Sequence, residues 1–353
     1  MLVREEILRL PGYAYTGYEA EVKLDQNEAA EDLPATLKSA LFDKLQTVPL
    51  HRYPDLDAKR LRRSIAAHFK WPENGVVVSG GSNTLIRCLT IAGAIGRSVV
   101  SVKPTFPIYS DQARVLGTQL FEVPLKPDFS LPLDELRVTL EQHAGVIFLA
   151  NPAAPTGNKF SQGQLEELLQ ITSKNWIFVI DEAYHQFAGT SALPLVAQYP
   201  HVVSLRTFSK AYGLGGLRIG FALAQPELAT EIRKVVMPFS VSSLQVMAAE
   251  TVLELDDFFK KRVATTISER ERVSEALKEL NLRTYPSVTN FILFSVPNPA
   301  YVFETLLTKG VLIRRQDHIK GLEGALRVTI GSEDQNNRFL ESLRIVLGEE
   351  SYG

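Results

Sequence analysis

The sequence carries a single cysteine, Cys88, in 353 residues, so no disulfide can close within the chain. Its six histidines (His51, His68, His143, His185, His201 and His318) are scattered, without the Cys/His spacing of a zinc site. Charge of one sign is also lacking: 38 Lys and Arg stand against 40 Asp and Glu, a net charge of −2. A protein that grips a phosphate backbone normally shows a basic excess, so nucleic acid is excluded as the expected partner. No apolar run approaches eighteen residues, and the opening MLVREEILRLPGY has no uninterrupted apolar stretch. Neither a membrane span nor a secretory leader is expected. These absences point to a soluble protein of the reducing cytoplasm, without a metal centre and without a membrane partner.

The composition that remains is an ordinary globular one, 45% hydrophobic and 22% charged, with length for about two packed domains. Strands are expected at Val76–Ser79, Ser98–Val102, Gln119–Val123, Gly145–Ala150, Trp176–Ile180, His201–Arg206 and Arg218–Leu223. Several, such as GVIFLA and WIFVI, are nearly continuous apolar runs, the pattern of strands covered on both faces. Helical patterns such as Leu133–His143 and Ser161–Ser173 lie between them. The expected fold class is therefore α/β, with a large domain built on a seven-stranded, mainly parallel sheet. The last two runs are too close for a crossover helix, so Arg218–Leu223 reads as an antiparallel member.

After Pro238 the texture changes. Helices are expected over Ser243–Leu255 and Asp256–Leu280, the second strongly charged, then apolar runs at Asn290–Val296, Val311–Arg315 and Ala325–Ile330. With helices near Ala300–Lys309 and Ser332–Leu347, this block reads as a smaller α+β domain. The expected division is an N-terminal arm and the start of the small domain over 1–44, the large domain over 45–240 and the small C-terminal domain over 241–353.

Three loops that follow expected strands carry chemistry. In SLRTFSKAYGLGGLRIG, Lys210 sits among Thr207, Ser209 and glycines, with Arg218 eight residues on. Desolvation or a nearby cation makes a lysine competent for Schiff-base chemistry, and the hydroxyls and guanidinium suit a phosphate monoester. A basic surface loop fits the same letters. In DEAY, Asp181 stands at the carboxyl end of a strand, where ligands of open α/β sheets collect. A carboxylate there keeps a pyridine nitrogen protonated, with Tyr184 in reach of a ring oxygen; a helix N-cap aspartate is the alternative. The glycine turn of SGGSNT precedes a helix expected near Thr84, and free N–H groups at a helix start bind anions. It fits neither the G-x-G-x-x-G nor the P-loop pattern.

Together these loops supply a phosphate cradle, a ring partner and a covalent anchor, and here the sequence resembles the fold-type-I pyridoxal-phosphate aminotransferases. Within them it looks most like the histidinol-phosphate aminotransferases. The likeness is carried by LDQNE (Leu24–Glu28), RYPD (Arg52–Asp55), GGSN (Gly80–Asn83), KPTFPIY (Lys103–Tyr109), NPAAPTG (Asn151–Gly157), DEAY (Asp181–Tyr184), RTFSKAYGLGGLRIG (Arg206–Gly220) and LRVTIG (Leu326–Gly331).

The resemblance implies that the cofactor is pyridoxal 5'-phosphate, held covalently by Lys210, with Asp181 on its ring nitrogen and Tyr184 on its ring oxygen. Ser82, Asn83, Thr207, Ser209 and Arg218 would surround its phosphate, Phe106 would stack on its ring, and Asn151 would lie in the loop beside it. Tyr53 would reach the phosphate from a neighbouring subunit, which implies a homodimer with shared active sites. The family's asparagines in NPNNPTG or NPNAPTG are replaced by Ala153 and Ala154, leaving Tyr184 to bond the ring oxygen alone.

The substrates so implied are histidinol phosphate and the glutamate/2-oxoglutarate pair. Arg327 would grip the phosphate or the glutamate carboxylate, Arg314 would add a second guanidinium, and Tyr13 and Asn27 would line the pocket. For Arg314, the solvated end of an edge strand is an equal alternative. An aromatic or broad-range aminotransferase, or a phosphothreonine decarboxylase, would carry the same cofactor motifs, and a noncatalytic module would share only the fold.

Overall fold

Each apolar run in the middle of the chain becomes a strand because both of its faces find a helical layer. The computed structural model describes residues 2–10, 12, 17–172 and 175–350. Its large sheet has seven strands in the order Val76–Ser79, Gly220–Ala224, Val202–Thr207, Trp176–Asp181, Gly145–Ala150, Ser98–Lys103 and Gln119–Pro124. The five strands from Val202–Thr207 to Gln119–Pro124 are parallel. Gly220–Ala224 runs antiparallel to both of its neighbours, as its short connection requires.

Alternate residues of a strand supply opposite layers. Val99, Phe148, Val179 and Val203 pack with Leu85, Leu89 and Tyr109. Val100, Ile147, Leu149 and Phe178 pack with Leu136, Leu165 and Leu168 on the other face. Each such buried side chain stabilises the fold by ~1.5–3 kcal/mol relative to exposure. Gly145, at φ +148°, brings two strands together where a Cβ would stand 1.9 Å from the Ser98 carbonyl oxygen.

A second, antiparallel sheet has the order Arg314–Arg315, Ala325–Thr329, Phe291–Ser295, Arg283–Thr284. The run expected as one strand over Val311–Arg315 is divided, because the chain changes partner at Ile313. Val311–Leu312 pairs in parallel with Val22–Lys23, whereas Arg314–Arg315 joins the antiparallel sheet. Helix Ser243–Glu254 opens on a Ser242/Gln245 capping box and packs Val246, Ala249 and Val252 against Leu61, Ile65 and Phe221, beside the large sheet. The long helix Asp256–Glu279 starts in that same layer with Phe259 and ends under the small sheet with Val273 and Leu277. It thereby ties the two sheets together. Cys88 is buried. Among the described residues, no helix is long and apolar enough to cross a membrane.

Candidate active site

Parallel strands deliver their C-terminal residues to one edge, and the chemistry-bearing loops leave from there. Asp181 is the last residue of Trp176–Asp181 and is 5% exposed. Its Oδ2 accepts from the Tyr109 hydroxyl at 2.7 Å and its Oδ1 from the Ala183 N–H at 3.1 Å. Burial outweighs both donors and pushes its carboxyl up to about 6, with the charge of Glu182 adding to the rise. Glu182 serves a different purpose. Burial alone would raise its carboxyl too, but the Arg206 guanidinium and the Ser204 hydroxyl hold it below the usual range. It forms a buried 2.8 Å ion pair with Arg206 and accepts the Ala192 N–H at 2.7 Å. Burial brings the neighbouring His185 down to about 3, so this ring is neutral.

Tyr109 is a functional group that sequence reading passed over. Its ring is fully buried, stacks on Phe148 at 5.0 Å and meets Phe106 edge-on at 5.7 Å. It therefore aims its hydroxyl at Asp181 and supports Phe106 at once. The available signal was its place three residues after Phe106 in KPTFPIY, at the start of helix Ile108–Leu116. In the ligand-free protein, Tyr109→Phe removes a donor from a buried carboxylate and raises the Asp181 midpoint above about 6, by about one further unit. Carboxyl carbon-13 NMR across the pH range measures this, and an unmoved midpoint would show that the hydroxyl does not hold the charge.

The anion cradle is assembled from two strand-ends. Gly81 is the N-cap of helix Ser82–Ala94 and offers no side chain to close its N-terminus. At φ +98°, a Cβ there would stand 2.9 Å from Arg218 Nη2, so glycine leaves room for the guanidinium above the first turn. Arg218 Nη1 donates to the Gly215 carbonyl at 3.0 Å and lies 3.4 Å from Ser209 Oγ. Thr207 donates to Ser209 Oγ at 2.9 Å and accepts the Ser209 N–H at 3.0 Å. Thr207, Ser209 and Arg218 thus meet beside the first turn of helix Ser82–Ala94, which opens with Ser82 and Asn83. Helix N–H groups, hydroxyls and a guanidinium form a set suited to a phosphate dianion.

Lys210 follows Ser209, and its Nζ donates to the Gln26 carbonyl at 2.9 Å. Burial, then Arg327 and Arg218, lower its ammonium to about 8, opposed by Glu28. Its Nζ lies 5.9 Å from the centre of the Tyr184 ring, which in turn packs edge-on against Phe291 at 5.3 Å. Arg327, from the small sheet, lies over the same Phe291 ring at 5.3 Å and donates to the Asp25 carbonyl at 2.7 Å. Arg314 is the registered partner of Arg327 on the adjacent antiparallel strand, so the two side chains share one sheet face.

Two of the expected site residues use their carboxamides within the protein. Asn151 turns into its own loop, where Oδ1 accepts the Phe160 N–H at 2.9 Å and Nδ2 lies 3.4 Å from the Phe160 carbonyl. Its carboxamide fixes the turn. Asn27, expected to face the substrate, spends its carboxamide inside the protein: Nδ2 donates to the Tyr184 hydroxyl at 2.8 Å and Oδ1 accepts from Thr329 at 3.3 Å. Tyr53 is 84% exposed and packs on Phe239 at 4.9 Å. Tyr13 lies outside the described residues. Among the described residues, no cluster of His, Cys, Asp and Glu could hold a metal ion.

A buried carboxylate, a lysine of lowered basicity and an anion cradle at one sheet edge define a class of enzyme. The chain belongs to the aminotransferase class I and II family, whose profile matches residues 19–343. Within it, the chain is similar to the histidinol-phosphate aminotransferase of Deinococcus radiodurans, at 40% identity over 97% of this chain and 95% of that protein. The histidinol-phosphate aminotransferase of Aquifex aeolicus is 36% identical, covering 97% of each chain. The fold is shared with the histidinol-phosphate aminotransferase of Sinorhizobium meliloti, solved in complex with pyridoxal-5'-phosphate. That structure has a TM-score of 0.89 at 23% identity and covers 99% of this chain and 98% of its own.

Proposed function

We propose that this chain catalyses pyridoxal-phosphate-dependent transamination between histidinol phosphate and 2-oxoglutarate, with glutamate as the matching amino acid. The observation that carries the reading is Lys210, brought to about 8, on the same sheet edge as the buried Asp181 and the Gly81–Arg218 cradle. This donor set fits the cofactor. Asp181 is the partner for its ring nitrogen, Tyr184 for its ring oxygen and Phe106 for one ring face. Ser82, Asn83, Thr207, Ser209 and Arg218 take its phosphate, and Lys210 anchors it through the ε-amino group. When bound, the cofactor supplies an electron sink for the pair left at the substrate's amine-bearing carbon. Lys210, released from its anchoring role by the incoming amine, takes the proton from that carbon as general base. Burial and the charges of Arg327 and Arg218 favour the neutral amine at this position, the form a base requires.

Arg327 and Arg314 are the proposed anion readers. Like charges placed opposite one another on a sheet repel, and a dianion between them relieves that repulsion. Arginine's planar fork suits both the phosphate ester of histidinol phosphate and the carboxylate of glutamate. Arg314→Ala raises KM for histidinol phosphate about 10- to 100-fold, the loss of one charge-assisted contact, and changes KM for glutamate about 2-fold at most. Equal effects on both substrates would overturn the assignment.

The same reading divides the labour between a unit over 45–240, which carries the cofactor residues, and one over 241–353, which carries the arginines. It also makes the active form a homodimer. Tyr53 is exposed against Phe239, whose N–H donates to the Leu56 carbonyl, and these exposed apolar side chains form a surface that a second copy would cover while Tyr53 reached its cradle.

An absorbance spectrum of the purified protein, followed by histidinol phosphate and 2-oxoglutarate together, tests the reading. A visible band that changes on substrate addition, with glutamate formed, is the expected result. Carbon dioxide release from phosphothreonine, or turnover of phenylalanine without turnover of histidinol phosphate, would contradict the substrate assignment.

A further inference from the structure

The hydroxyl of Tyr184 can donate one hydrogen bond and accept others, and which role it offers a ligand depends on what already occupies it. Asn27 Nδ2 donates to it at 2.8 Å, which fills the acceptor side. The orientation of that carboxamide is itself set by Thr329. The Thr329 hydroxyl accepts the Asn27 backbone N–H at 2.9 Å, so its own hydrogen is left for Asn27 Oδ1 at 3.3 Å. With Oδ1 taken by Thr329, the NH2 end must face Tyr184. The backbone fixes the rest. Asn27 adopts φ +54°, a left-handed conformation that asparagine tolerates better than most residues, and Asn290 Nδ2 holds its carbonyl at 3.1 Å. Asn27 is 2% exposed, so solvent does not compete for these bonds. On the facing loop, Ala154 packs in the same apolar cluster as Tyr184 and Phe291 and presents no polar side-chain group.

We propose that Asn27 is a positioning residue that commits the Tyr184 hydroxyl to donating, so that it would donate a hydrogen bond to the ring oxygen of the cofactor. This inference rests on the cofactor reading above. A donated bond favours the anionic form of that oxygen and lowers the pH at which the bound cofactor changes colour.

The test is a double-mutant cycle on the cofactor-loaded protein, reading the pH midpoint of its visible absorbance change. Asn27→Gly keeps the left-handed backbone accessible and removes the donor. Asn27→Asp also keeps the backbone, and its carboxylate draws the Tyr184 proton toward itself. Both variants are expected to move the midpoint up by about one unit, in the direction of Tyr184→Phe. In the Tyr184→Phe background, Asn27→Gly is expected to add no further shift, although a purely structural role would not depend on that background. A midpoint unchanged in Asn27→Gly, or shifted equally with and without the Tyr184 hydroxyl, would overturn the inference alone. A protein without a visible band in any variant would overturn it together with the reading it rests on.

Discussion

Replacing Lys210 by alanine is expected to remove the visible absorbance of the bound cofactor and transamination together. General-base catalysis by a positioned side chain is worth about 10²- to 10⁴-fold, and the covalent anchor adds to that. Turnover is therefore expected to fall at least about 10⁴-fold. Lys210→Arg separates charge from chemistry. Arginine keeps a cation beside Gln26 and Glu28, but its guanidinium stays protonated and neither attacks a carbonyl nor takes a proton at neutral pH. It is expected to be as inactive as alanine while still binding the cofactor through its phosphate. Steady-state rates and spectra of both variants measure this. An alanine variant that turned over within about 10-fold of the parent would remove Lys210 from the reaction.

The second large effect has opposite signs for stability and activity. Asp181 titrates at about 6 in the folded, ligand-free chain against an ordinary value of 3.8. A carboxyl whose folded value is raised contributes stability that is fully present below the unfolded value and lost as pH rises through the folded one. The stability of the ligand-free protein is therefore expected to fall between about pH 4 and pH 6 through this residue. Above that window, an uncompensated cost of ~3 kcal/mol remains. Asp181→Asn removes the charge, and its amide can still accept from the Ala183 N–H and donate to Tyr109. This variant is expected to be more stable at about pH 7.5 by ~2–3 kcal/mol, and no more stable at about pH 4, where the parent carboxyl is also neutral. Its transamination rate is expected to drop about 10²- to 10³-fold, the scale of losing one preorganised electrostatic partner. Denaturant midpoints at the two pH values, with rates alongside, decide the matter. A variant of unchanged stability near pH 7.5 would mean that the buried charge carries no cost.

The large sheet was legible because its strands are short apolar runs with sharp ends. GVIFLA has all six residues buried, and no polar residue blurs its limits. The candidate site was placed by the same signal: Asp181 closes the run WIFVI, and Lys210 follows the strand Val202–Thr207 by three residues. The antiparallel strand followed from chain length alone, since the twelve residues between Thr207 and Gly220 are too few for a crossover helix with its two loops. Elements without a local signal were not readable. Val22–Lys23 and Arg283–Thr284 span two residues each, too short to show a period of two. Helix Ala35–Gln46 buries only Leu41, so its apolar stripe is faint.

The finer wiring of the site was invisible because its partners are distant in sequence. Tyr109 meets Asp181 across 72 positions, and Asn27 meets Tyr184 across 157 and Thr329 across 302. No spacing rule connects such pairs. For Asn151, the carboxamide could be assigned to a loop by its sequence, but its direction depends on the Phe160 backbone nine residues on.

If the ε-amino group of Lys210 holds the cofactor, reduction of the carbon–nitrogen bond makes the attachment permanent. The purified protein is incubated with pyridoxal 5'-phosphate, reduced with borohydride, digested and mapped by mass spectrometry. One stoichiometric phosphopyridoxyl group is expected, on the peptide that contains Lys210. Absence of the label, or its stable attachment to another lysine with Lys210 unmodified, would contradict it.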